Sequence, residues 1–200
     1  MTNKEPSQEV THGPTPADIS ISKLPTVRLT DEQLQRATQI ARQRNETYEK
    51  IDGGRVCGEQ ESYDAHLTGV VGELAVAVQY DGTIDSQTYE TGDDGYDLCF
   101  DECTIDVKTT RTTSRTRPNL IVSANPTPSA AFYYLTHWVE DRLVRIVGYA
   151  PQSRVLDREP RQFPGQTLNY TVPPEELFRP PEYRPPQPIE QLLFSEAEMP

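Results

Sequence analysis

The sequence predicts an α/β domain in which two long helices come first and a series of short strands follows. Three observations carry this reading. Leu34, Ala37, Ile40 and Ala41 recur at helical spacing inside "LTDEQLQRATQIARQRNETYEK". "AHLTGVVGELAVAVQY" is apolar around most of its circumference, as a buried helix requires. Between Asp94 and Ala150, β-branched and aromatic residues come in bursts separated by turn residues.

Taken in order, residues 1–27 are polar and proline-punctuated and read as a disordered arm. Thr30, with Gln33 three positions on, makes a helix start, and the first helix is expected from Asp31 to Tyr48. "IDGGRVCGEQESYD" reads as turn-rich. In the second helix Gly69, Gly72, Ala75 and Ala77 keep one side thin enough to lie close on a sheet. "DGYDLCFDE", "CTIDVKTT", "NLIVSA", "AFYYLTHWVED" and "LVRIVGYA" follow as strands. The last 50 residues hold 11 of the 18 prolines, so only a short helix after Pro151 and an extended "LNYTVP" are expected there. This gives one domain over residues 28–178 and a proline-rich tail over 179–200.

Two hundred residues with 34% apolar content suit one modest domain with tails. No run approaches the roughly 18 apolar residues of a membrane span, and "MTNKEPSQEVTHGPTPAD" lacks the apolar core of a signal peptide. The expectation is a soluble, cytoplasmic protein with no membrane partner. Cys57, Cys99 and Cys103 cannot pair completely and read as reduced thiols, with "CFDEC" plus His66 the one arrangement suited to a structural metal.

A formal charge of −12 argues against phosphate binding when taken as a sum. An acid-rich chain with few lysines and many arginines fits a halophilic source, an archaeon or its virus, with an acidic surface from a GC-rich genome as the plainer account. The distribution says more. From Val107 to Val139 there is no Asp or Glu, while Lys108, Arg111, Arg115 and Arg117 give that window +4, so the remainder carries −16.

Lys108 is the only lysine after Lys50, and it sits in "TIDVKTT". Alternate residues of a strand share a face, so Asp106 and Lys108 project together while Ile105 and Val107 point to the core. An acid-x-Lys triplet alone is weak, since roughly 0.6 would arise by chance at these residue frequencies. Its surroundings add to it. "GDDGYDL" places Asp97 at the start of the preceding strand, where a hairpin sets it beside Asp106. Glu73 is a lone charge in an apolar helix and needs a partner or a metal.

Glu73, Asp97 and Asp106-x-Lys108, on helix, strand and strand, resemble the motif of the PD-(D/E)xK nuclease superfamily, from about Ala65 to Ala150. Tyr96 stands where the superfamily's proline would precede the aspartate. "FYYLTHWVEDRLVRIVGYA" and "NYTVPPEEL" are similar to the closing segments of small nucleases of that group. The resemblance implies a restriction-endonuclease-like core, a central mixed sheet flanked by helices, and a DNA nuclease dependent on Mg²⁺ or Mn²⁺.

In that reading Asp97 and Asp106 hold the cation and Glu73 joins directly or through water, because a hard divalent ion takes carboxylate oxygens and offsets the charge of nucleophile and phosphate. Lys108 orients the attacking water and offsets developing charge. In one branch of the superfamily a histidine upstream of the first acid joins the metal site, and His66, seven residues before Glu73, occupies a comparable place. Arg111, Arg115 and Arg117 are expected at the mouth of the site, on DNA phosphates. Plainer alternatives stand beside each assignment: a salt bridge for Lys108, a turn cap for Asp97 with Asp93 or Asp94 as ligand, a structural His66, and sheet packing for Tyr133, Tyr134, His137 and Trp138. Alternative functions are a junction resolvase, which would act as a homodimer, or a non-catalytic nucleic-acid-binding or virion-associated protein. A small-molecule enzyme finds no glycine-rich phosphate loop or nucleophile elbow.

Overall fold

A computed structural model describes residues 20–52, 59–82, 95–100, 103–111, 117–125, 127–162 and 167–181. Helix α1, Asp31–Asp52, opens on a reciprocal capping box: the Thr30 amide donates to Gln33 Oε1 at 2.8 Å and the Gln33 amide to Thr30 Oγ1 at 3.1 Å. Helix α2, Glu59–Tyr80, begins earlier than its apolar pattern, because part of the turn-rich segment before it continues the helix. That correction has a local cause, since "EQESYDA" contains no glycine or proline to stop a helix.

The main sheet has five strands in the order β1-β6-β5-β3-β2. They are β1 Thr26–Arg28, β2 Leu98–Phe100, β3 Cys103–Thr110, β5 Phe132–Glu140 and β6 Leu143–Pro151. β3 and β5 run parallel and the other pairs antiparallel, so the sheet is mixed. Strand β4, Leu120–Ser123, leaves this sheet and pairs with β8, Leu168–Val172, and β8 pairs with the two-residue β7, Arg161–Gln162. Helix α3, Gln152–Leu156, follows β6 directly.

Two of these strands depart from the sequence reading. β1 pairs with β6 and Leu24 is buried, so the domain begins before residue 28 and the arm is shorter than 1–27. A three-residue strand carries too little alternation to stand out beside Pro25. β7 escapes for the same reason.

The sheet separates two apolar clusters. On one face Val70, Val71, Leu74 and Ala75 of α2 pack on Leu98, Ile105, Val107 and Tyr134, with Ala37, Ile40 and Ala41 of α1 completing the layer. On the other, Tyr133, Leu135, Val147 and Ala150 meet Leu120, Val122, Val155 and Val172. Gly72 lets α2 sit this close. A Cβ there would overlap the Thr109 hydroxyl and crowd that of Thr136, which donates to Thr109 Oγ1 at 2.9 Å. The absence of one side chain therefore sets the depth of the next residue, Glu73. Among the described residues no helix is long and apolar enough to cross a membrane.

Candidate functional site

β2 is too short to cover β3. Its register pairs Leu98 with Ile105, and beyond that point no strand among the described residues flanks Val107–Thr110 on this side. The open edge forms the floor of a cleft of about 640 Å³, walled by His66, Gly69 and Glu73 of α2 on one side and by Pro118, Asn119 and Ile121 on the other. Arg44, Asp97 and Lys108 also line it.

Ile105 and Val107 are buried, and Asp106 and Lys108 lie on the opposite face of β3, as alternation requires. Lys108 Nζ lies 2.6 Å from Asp106 Oδ1, with Asp106 15% exposed and Lys108 38%. The salt bridge that is the plain alternative for Lys108 is thus present, with Lys108 itself lining the cleft. Asp97 immediately precedes Leu98, just past the last paired position of β2 and β3. Its amide donates to the Ile105 carbonyl at 2.8 Å, and its Oδ2 accepts the Val107 amide at 2.7 Å, so the carboxylate replaces the missing strand at the ladder's end. Asp93, Asp94 and Arg115 lie outside the described residues, as does Cys57.

Glu73 has a partner that the sequence reading missed. Arg44, on α1, donates Nη1 to Oε1 at 2.7 Å and Nη2 to Oε2 at 2.9 Å, a bidentate pair on a carboxylate only 3% exposed. The one sequence signal was Arg44 lying one helical turn past Ile40 and Ala41, near the buried side of α1. His66 lines the same cleft, and burial, then the nearby Arg44 charge, lower its pKa. Its imidazole is therefore neutral at pH 7.

Arg111 stacks on Trp138, its Cζ 3.9 Å from the ring centroid, and Arg117 is half-buried. Thr110 and Pro118, which bracket the arginine-bearing segment, line the cleft. Tyr133, Tyr134, His137 and Trp138 are all buried, in keeping with sheet packing rather than contact with a ligand.

The electrostatics of Asp97 tie the group together. Burial pushes its carboxyl well above the usual carboxylate range, the charges of Glu73 and Asp106 push it further, and the Val107 amide and Lys108 only partly offset them. Asp97 therefore feels the carboxylates of both Glu73 and Asp106. A folded-state pKa above the unfolded value means Asp97's favourable contribution is fully present below about pH 3.9 and is lost as pH rises through the folded value. Asp97→Asn, which keeps an acceptor for the Val107 amide, is expected to raise Tm at pH 7 without divalent cations, by about 2–4 °C per kcal/mol relieved. The gap should close as pH falls toward 4. A variant melting at or below wild type at neutral pH would show that the carboxylates do not strain one another.

Comparison with protein-family models, with curated proteins and with solved structures found no match.

Proposed function

We propose that the protein is a divalent-metal-dependent DNA nuclease that hydrolyses phosphodiester bonds in the cleft at the open edge of β3. One observation carries the reading: Glu73, Asp97 and Lys108 line one cleft, Asp106 lies 2.6 Å from Lys108, and burial together with the charges of Glu73 and Asp106 raises Asp97. That excess of negative charge fits a cation. Among the described residues no three Asp, Glu, His or Cys side chains stand close enough to hold a metal by themselves. Mg²⁺, however, is commonly held by one or two carboxylates together with waters and substrate phosphate oxygens.

Asp97 and Asp106 fit that role. Glu73 has both oxygens on Arg44 and is left to act by its field or through water, while His66 lines the same cleft and is a further candidate ligand. When bound, the ion would offset phosphate charge and acidify water. Lys108, half-exposed at the cleft wall, positions the nucleophile and offsets charge developing on the phosphate oxygens. Arg44 is a second cation lining the cleft, already fixed in orientation by Glu73.

Incubation with linear, circular and branched DNA plus Mg²⁺ or Mn²⁺, at low and molar salt, tests this on a gel. Cleavage by wild type that chelation abolishes is the expected result. Preference for branched substrates would favour the resolvase reading and its homodimer, and binding without cleavage the non-catalytic one. An acidic protein adapted to concentrated salt should also gain thermal stability as salt rises.

Arg111, Arg115 and Arg117 are proposed to bind phosphates beside the cleft. Replacing all three by Gln should make the log–log salt dependence of DNA binding shallower by roughly 0.9 for each phosphate no longer neutralised. Equal affinity and equal slope in the triple variant would remove the segment from the DNA path.

A further inference from the structure

We propose that the nucleic-acid path continues from the cleft across β4 into a separate phosphate-binding subsite built by Arg154, Arg158, Arg161 and Thr171. The inference rests on the nuclease reading and extends it to a surface outside the acid-free window. A second cavity of about 740 Å³ lies there, lined by these four residues together with Asn119. Asn119 also lines the first cleft. The strand register joins the two: Ile121, which lines the first, is the direct cross-strand partner of Thr171, which lines the second.

The side chains are arranged for an anion. Arg154 is held in place, its guanidinium over the Phe178 ring at 4.5 Å and its Nη1 donating to the Glu176 carbonyl at 2.7 Å, which leaves its remaining N–H groups available. Arg158 pairs with the Glu176 carboxylate. Arg161 is exposed on β7, and Asp157 and Glu159, the other acids of the cavity, are also exposed. Three arginines and three acids leave the cavity neutral, so a phosphate would be held there by the directed N–H groups of Arg154 and Arg161 rather than by net charge. Thr171 lines the cavity and its Oγ1 makes no hydrogen bond among the described residues, so a change of χ1 rotamer would turn an unpaired hydroxyl toward a phosphate oxygen. Continuity with the first cleft favours a polynucleotide backbone over a free anion.

The test is anisotropy of labelled duplexes with the full chain in Ca²⁺, one duplex long enough to cross both cavities and one confined to the first. Arg161→Gln is expected to weaken the long duplex roughly tenfold at low salt and to make its log–log slope shallower by about one. The short duplex should be unaffected, and Thr171→Val should weaken only the long one. If wild type binds the long duplex and both variants match it in affinity and slope, the subsite is overturned and the nuclease reading stands. Stabilisation by inorganic phosphate that Arg161→Gln abolishes, with duplex binding unchanged, would mark a free-anion site and overturn the polynucleotide assignment. No binding of any DNA by wild type would overturn the nuclease reading and this subsite with it.

Discussion

Lys108→Ala and Asp106→Asn are each expected to lower phosphodiester cleavage by roughly 10²–10⁴-fold while leaving the fold intact. Both side chains project from β3 away from Ile105 and Val107, on the face of their register partners Tyr133 and Leu135, and Asp106→Asn keeps the side-chain volume while Lys108 is 38% exposed. The 2.6 Å approach between them sharpens the test. If the pair were only structural, its removal would cost about 0–1 kcal/mol, as for other partly exposed ion pairs, and activity would not respond. Lys108→Arg separates the two readings further. A guanidinium keeps the ion pair but not the compact ammonium, so the nuclease reading expects near-complete loss of cleavage in this variant with an unchanged Tm. Cleavage that persists in Lys108→Ala at the wild-type rate would sink the assignment.

The parts of this site that the sequence discloses are those governed by local periodicity. Alternation in "TIDVKTT" places Asp106 and Lys108 on one face, and the short β2–β3 pairing brings Asp97 to the Ile105–Val107 stretch of β3, because both relations span few residues. The environment of Glu73 follows from helical periodicity, and its need for a partner follows from the cost of a buried charge. The identity of that partner does not. Arg44 lies 29 residues upstream in another helix, and its place one turn past Ile40 and Ala41 sets it near the buried side of α1 without saying which carboxylate it meets. The second sheet is hidden for a related reason. β4 reads as a strand, but whether it joins β3 or leaves to pair with β8 depends on residues about 50 positions away. The Arg154, Arg158 and Arg161 cluster then escapes a scan for basic windows, since Asp157 and Glu159 interleave with it along the chain.

Arg44→Ala is expected to be the most destabilising single change at the site. It leaves the Glu73 carboxylate, 3% exposed, without its two charge-assisted hydrogen bonds. Breaking a buried pair from one side costs about 3–5 kcal/mol, which at about 2–4 °C per kcal/mol for a chain of this size lowers Tm by roughly 6–20 °C. Glu73→Gln should cost less, because Arg44 is 24% exposed and retains access to water. Adding Glu73→Gln to Arg44→Ala should recover much of the stability, since no buried charge then remains. Near-additive effects in the double variant would show instead that Arg44 acts through packing of its stem. Mg²⁺ gives the same variant a functional readout. Arg44→Ala takes the guanidinium away from both Glu73 oxygens, so the metal reading expects Mg²⁺ to raise the Tm of Arg44→Ala more than that of wild type, and Glu73→Gln to cancel the difference. A Tm of Arg44→Ala that does not respond to Mg²⁺ would leave the ion pair as a structural clasp and remove Glu73 from the metal's surroundings.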